Sequence, residues 1–164
     1  MSLGWFDPHR IPEGQAAPDF TLKSTAGDFN LFQELEKGPI LMMFYMGDFG
    51  TTCTYSLKKL GEITPALEEG GVRVFAVSVN PMSIHTRFQA RMSFPFHLLS
   101  DVGGKVSKAY GCLIENHSLY GGMAGRAVYI IDPQGVVAYS WIPEEDPAKS
   151  PDFPALVQKV KDLF

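Results

Sequence analysis

Two cysteines among 164 residues are too few to staple a scaffold. This chain must therefore fold on a hydrophobic core rather than on disulfides. An excess of positive charge is also missing. Fourteen Lys and Arg stand against eighteen Asp and Glu, a net charge of −4 without a basic cluster. That argues against binding to nucleic acid or to an anionic membrane surface. The longest apolar run, Ile40 to Met46, falls far short of the roughly 20 residues of a membrane-crossing helix. The histidines, His9, His85, His97 and His117, lack metal-ligand spacing, so surface or core roles are expected and no metal or other cofactor. Gly103-Gly104-Lys105-Val106 lacks the upstream Gly and the trailing hydroxyl of a phosphate-binding loop. The first residues show neither an apolar signal core nor a basic leader. With two thiols and no disulfide framework, the expected location is the reducing cytoplasm. Repeats, low-complexity tracts and linkers are absent. One domain over 1–164 is expected, with 1–13 as an extended arm.

What is present is a globular composition, 45% hydrophobic and 20% charged. Phe20-Thr21-Leu22 and Phe29-Asn30-Leu31 flank a turn at Ala26-Gly27-Asp28 and read as a hairpin. Phe32 to Lys37 reads as a short helical turn. The unbroken apolar run Ile40 to Tyr45 predicts a strand covered on both faces. A helix starts near Thr51, with Leu57, Leu60, Ile63 and Leu67 near one face. Gly61 and Thr64-Pro65 predict a kink or restart within it, and Gly70-Gly71 its end. Val72 to Val79 alternates as a strand. Ser83 to Met92 reads as a helix with Ser83 as its cap. Phe96 to Leu99 predicts a strand, Lys105 to Tyr110 a helix, and 111–124 a Gly-rich loop. Val128 to Ile131 and Val136 to Trp141 flank Asp132-Pro133-Gln134-Gly135, a type I turn sequence. Phe153 to Leu163 closes the chain as a helix.

Cys53 follows the short loop after the apolar strand, in the first turn of the helix that begins near Thr51. A free cysteine is ordinarily a small buried apolar residue. Here the first-turn N–H groups lack partners inside the helix and carry the positive end of its dipole. They favour thiolate over thiol, which makes Cys53 the most reactive atom the sequence offers.

The stretch Phe44-Tyr45-Met46-Gly47-Asp48-Phe49-Gly50-Thr51-Thr52-Cys53 resembles the peroxidatic-cysteine loop of the peroxiredoxins, the alkyl hydroperoxide reductase C and thiol-specific antioxidant family. Residues 14–22, G-Q-A-A-P-D-F-T-L, resemble that family's opening strand, and Val72 to Val79 the strand after its cysteine helix. Residues 125–135, G-R-A-V-Y-I-I-D-P-Q-G, resemble the segment that supplies its arginine. The resemblance runs through nearly the whole chain in the family's order. It implies a thioredoxin-like α/β fold, with a central mixed sheet flanked by helices and an added N-terminal hairpin. It implies a thiol peroxidase that reduces hydrogen peroxide or organic hydroperoxides through a sulfenic acid on Cys53. Arg126 would then lower the thiol pKa and hold the peroxide oxygens.

Three positions depart from the family pattern. Met46 replaces the proline that shields the thiolate, and still supplies apolar bulk. Gly50 replaces a Thr or Ser, keeping the backbone N–H and losing the hydroxyl. Ser56 replaces a Glu or Gln. Phe49, Thr51 and Thr52 complete the expected substrate-binding set around Met46, and Thr51 or Thr52 is a candidate to replace the missing hydroxyl. Cys112 is a candidate resolving cysteine, but its surroundings favour a core residue. Lys58 occupies another position where the family places a resolving cysteine. The resemblance therefore implies a single-cysteine mode with an external thiol or thioredoxin-like protein as reductant. It also implies a homodimer, for which Tyr45, Phe49 and Trp141 are candidate anchors. Two alternatives stand beside this reading. One is a monothiol thioredoxin-like oxidoreductase, since Cys53-Thr54-Tyr55-Ser56 reads C-x-x-S. The other is a degenerate peroxiredoxin fold serving as a redox sensor or binding module.

Overall fold

The computed structural model describes residues 6–164; residues 1–5, the outer part of the expected arm, lie outside the described residues. Seven strands form one mixed sheet in the order β2-β1-β5-β4-β3-β6-β7. The chain supplies β1 (Thr21–Ser24), β2 (Gly27–Asn30), α1 (Leu31–Leu35), β3 (Ile40–Phe44) and α2 (Thr51–Glu69). Then come β4 (Arg73–Ser78), α3 (Met82–Met92), β5 (His97–Ser100) and α4 (Lys105–Ala109). It finishes with β6 (Ala127–Ile131), β7 (Val137–Trp141) and α5 (Phe153–Leu163).

The apolar run of β3 is buried at every position, because side chains alternate between two covered faces. Ile40, Met42 and Phe44 enter one core cluster with Tyr110, Cys112 and Tyr129. Leu41 and Met43 enter the other with Cys53, Leu57, Leu60, Phe88 and Leu156. The two cysteines thus belong to opposite sides of the sheet. β3 runs parallel to β4 and antiparallel to β6, and Phe44 pairs with Ala127. That register brings the C-terminal end of β3 beside the N-terminal end of β6. The loop after β3 and the residue before β6, Arg126, become neighbours for that reason alone.

Several boundaries differ from the sequence expectation. The hairpin closes at Thr25-Ala26, with Ser24 opposite Gly27. Ser24 Oγ ties this turn by donating to Gly27 O and accepting from Ala26 N–H. Neither Gly61 nor Pro65 restarts α2, which is continuous from Thr51 to Glu69. Burial of Leu57, Leu60, Thr64 and Leu67 on the sheet carries the helix across the missing hydrogen bond. Gly70 ends it, as the Gly pair predicts. β4 is buried from Val74 to Ser78 instead of alternating, because helices cover both of its faces. Ser83 does not cap α3. Pro81 takes that position, and its carbonyl accepts from Ile84 and His85 N–H.

Candidate active site

Gly50 occupies the N-cap of α2 with φ −69° and ψ 139°, and no side chain caps the helix. The first hydrogen bond of the helix runs from Thr54 N–H to Gly50 O at 2.8 Å. The N–H groups of Thr51, Thr52 and Cys53 precede it and lack intrahelical acceptors. Cys53 is the third helical residue and only 6% exposed. A side chain in the first turn lies beside those dipoles, whose positive end favours negative charge.

Arg126 reaches the same atom from the other side of the strand register. Its Nη2 donates to Cys53 Sγ at 3.5 Å. The guanidinium is fully buried, and its orientation is fixed by backbone. Arg126 Nε donates to Ala148 O at 2.9 Å, and Arg126 N–H to Pro147 O at 2.8 Å. Among the described residues Nη1 is buried without a hydrogen-bond acceptor. A buried cationic donor left open at a thiol is the arrangement that receives an anionic or lone-pair-rich oxygen. Gly125 permits this course, because a Cβ there would meet the Phe6 ring at 2.7 Å.

Cys53 and Arg126 share a cavity of about 620 Å³ with Met46, Gly50, Thr51 and Thr52. Val79, Tyr120, Met123, Pro147 and Ala148 give it apolar walls. Of the substrate-binding set expected from sequence, Met46, Thr51 and Thr52 line this cavity and Phe49 does not. The Phe49 ring rests on Phe88 at 4.8 Å between centroids and is half exposed. Ser56 is buried and hydrogen-bonds Ser150 Oγ. That bond ties α2 to the 147–150 segment whose carbonyls hold Arg126.

Sequence reasoning missed this segment, since nothing in Asp146-Pro147-Ala148-Lys149-Ser150 marks carbonyls as guanidinium acceptors. It also passed over Asp48 and Asn80, and read His85 only as a surface or core residue. Tyr45, taken as a candidate interface anchor, is fully buried, and its hydroxyl donates to Asp48 Oδ1 at 2.6 Å. Burial and the Asp48 carboxylate push the Tyr45 hydroxyl well above its ordinary pKa. It cannot anchor a partner.

Cys112 is fully buried in the opposite core, and its thiol donates to Ser107 O at 3.6 Å. Burial, then the Asp101 carboxylate, pushes its pKa well above that of a free cysteine. Both cysteines are free. No cluster of three or more His, Cys, Asp or Glu among the described residues could hold a metal ion. No helix among them is long and apolar enough to cross a membrane.

Comparison with known proteins bears on the family and the fold. The model of the AhpC/TSA family matches residues 13–140. Chloroplastic peroxiredoxin Q of Oryza sativa subsp. japonica is 30% identical over 140 residues, 85% of this chain and 63% of that protein. This chain thus spans less than two thirds of the length of that relative. The putative peroxiredoxin bcp of Coxiella burnetii is 29% identical over 134 residues, 80% of this chain and 88% of its own length. The fold matches the crystal structure of a peroxiredoxin-like protein from Aquifex aeolicus with a TM-score of 0.83 at 24% identity. That match covers 97% of this chain and 91% of the other.

Proposed function

This chain belongs to the AhpC/TSA family, the peroxiredoxins, and from that premise we propose that it is a thiol peroxidase with Cys53 as its nucleophile. The observation that carries this is the Arg126 Nη2 contact with Cys53 Sγ at the uncapped start of α2. The Cys53 thiolate attacks one oxygen of a hydroperoxide. An S–O bond forms, the O–O bond breaks, and sulfur loses two electrons. The leaving alkoxide or hydroxide takes a proton and departs as alcohol or water. Arg126 and the free N–H groups of the first turn bind the peroxide oxygens and the charge that grows on the leaving one. Cys53 is left as a sulfenic acid.

The reductant is an external thiol. Its sulfur attacks the sulfenic acid and expels water, giving a mixed disulfide that a second thiol reduces. Cys112 does not serve as resolving cysteine, because it lies in the core on the other side of the sheet with its thiol held to Ser107 O. The apolar walls of the cavity accommodate small organic hydroperoxides as well as hydrogen peroxide. Met46 shields the thiolate from water in place of a proline.

Gly50 supplies backbone but no hydroxyl. That omission costs about 1–3 kcal/mol of transition-state stabilisation, roughly a factor of 10 to 100 in rate. Exposed Phe49, beside the site, supports a homodimer formed near the loop. A reducing compartment such as the cytoplasm suits two unpaired thiols. Steady consumption of hydrogen peroxide with dithiothreitol or thioredoxin as reductant tests the proposal. Turnover in wild type and none in Cys53→Ser supports it. A wild-type chain that binds peroxide or a partner without consuming peroxide would instead be a sensor or binding module.

A further inference from the structure

A buried acid–imidazole pair lies directly beneath the site, and the chemistry above does not use it. Asp48 Oδ2 and His85 Nδ1 are 2.6 Å apart with both side chains fully buried. Asp48 belongs to the loop between β3 and α2; His85 projects from α3. Donor counting fixes most of the protons. Leu99 O can only accept, so His85 Nε2, 3.0 Å away, carries a hydrogen. The Tyr45 hydroxyl donates to Asp48 Oδ1 at 2.6 Å. The contact between Nδ1 and Oδ2 then holds one proton, and the pair is neutral as a unit whichever atom bears it. The backbone N–H of Asp48 donates to Asn80 Oδ1 at 2.9 Å.

Three parts of the fold thus hold one loop residue: the end of β3 through Tyr45, α3 through His85, and the β4–α3 connection through Asn80, while Leu99 of β5 holds His85 in turn. The residue that follows explains the need. Phe49 has φ +64°, a left-handed conformation that a bulky side chain adopts only when its surroundings impose it. Its ring is seated on Phe88 of the same helix that carries His85. Gly50 and the open first turn of α2 come next. The course of the chain through 48–50 decides where those N–H groups and Cys53 Sγ point.

We infer that His85 is a positioning residue for peroxide reduction: by clamping Asp48 it imposes the loop course that aims the first turn of α2 at the substrate oxygens. The inference rests on the peroxidase reading above. The clamp acts through matched donors and acceptors rather than through net charge, which makes it separable from a role for the carboxylate in proton transfer. An amide at position 48 satisfies every contact. Its oxygen accepts from Tyr45, its nitrogen donates to His85 Nδ1, and Nε2–H still donates to Leu99 O.

The test compares two reactions of Cys53 in a Cys112→Ser background. Stopped-flow oxidation by hydrogen peroxide depends on anchored oxygens, whereas alkylation by iodoacetamide needs only a reachable thiolate. His85→Ala and Asp48→Ala are expected to lose at least about tenfold in the peroxide rate while alkylation stays within about threefold. Asp48→Asn is expected to recover to within about threefold of the parent. Circular dichroism verifies folding, and Asp48→Ala carries the test where His85→Ala does not fold. Failure of both alanine variants to fold overturns the inference, since His85 and Asp48 would then be structural residues. It is also overturned by peroxide rates unchanged in both, by equal falls in the two reactions, or by Asp48→Asn as slow as Asp48→Ala. A parent protein inert to peroxide but open to alkylation defeats the peroxidase reading itself, and is recognised before any variant is compared.

Discussion

Helices α2 and α4 each begin close to a cysteine, and their N-termini are finished in opposite ways. At α4 the chain supplies its own anion. Asp101 accepts from Val106 N–H at 3.1 Å and from Ser107 N–H at 2.7 Å. A Ser107 hydroxyl at 2.7 Å completes the set. Cys112, just beyond that helix, has only a carbonyl for a partner and the Asp101 carboxylate among its neighbours. At α2 no carboxylate or hydroxyl fills the first turn, and Gly50 leaves it open. A buried guanidinium is added instead. Both thiols are buried, so burial does not separate them. One faces groups that welcome negative charge and the other faces groups that repel it.

Exchanging the thiols one at a time tests that contrast with the largest effect. Cys53→Ser is expected to lower peroxide consumption by at least about a thousandfold, since an alcohol at this site is a far weaker nucleophile than a thiolate. Cys112→Ser is expected to leave the rate within about twofold. It should lower thermal stability by about 1–3 kcal/mol, because a hydroxyl replaces sulfur in an apolar core. Calorimetry together with the peroxide assay reads both.

Removing the guanidinium fork comes next. Arg126→Lys keeps the charge but cannot donate to Ala148 O and Cys53 Sγ together with an open third nitrogen. A fall of about a hundredfold in the second-order rate of peroxide with Cys53 is expected, equivalent to roughly 2.7 kcal/mol. Single-turnover kinetics measure it, with the unfolding midpoint moving less than the rate.

Position 50 tests the open helix end with two substitutions of opposite sign. A Cβ at Gly50 has room, its nearest neighbours being Gly47 O at 3.8 Å and Cys53 Cβ at 4.0 Å. Gly50→Thr supplies a hydroxyl that accepts from the first turn and still donates to peroxide. Its rate should rise by about tenfold, near 1.4 kcal/mol. Gly50→Asp would fill α2 as Asp101 fills α4. It should gain about 0.5–1 kcal/mol in stability and slow peroxide attack by about tenfold, read by stopped flow and denaturant unfolding.

What the sequence disclosed follows from which interactions are local. The apolar run at Ile40 to Tyr45 and the terminal helix at Phe153 to Leu163 carry their own patterns. So does the helix start before Cys53. Each matches the structure closely. Arg126 was found through family resemblance; its approach to Cys53 follows from the Phe44–Ala127 register, which no local signal encodes. The restart expected at Pro65 failed because burial along α2 outweighs one missing hydrogen bond. The carbonyls of Pro147 and Ala148 and the Asp48–His85 pair were invisible for a related reason. Backbone acceptors have no residue signature, and a lone histidine reads as surface or core until its partner is seen.

The smallest expected effect concerns pH. The Cys112 thiol is pushed up by burial, and Tyr129 by burial to about 12. A raised folded-state value means the unfolded chain releases the proton first. The stabilisation from Cys112 is therefore complete below the free cysteine value of about 8.5, that from Tyr129 below the free tyrosine value of about 10, and each is lost as pH climbs above it. The unfolding temperature should fall between pH 8 and about 10, with a shallower slope in Cys112→Ala. An unchanged slope would mean that Cys112 does not titrate on unfolding in this range.

Trapping the sulfenic acid shows whether Cys53 alone carries the oxidising equivalent. The reduced protein is treated with one equivalent of hydrogen peroxide in the presence of dimedone, digested and mapped by mass spectrometry. The expected result is a dimedone adduct on Cys53, an unmodified Cys112 and no disulfide joining the two. An adduct on Cys112, a Cys53–Cys112 disulfide, or an unreacted Cys53 would contradict it.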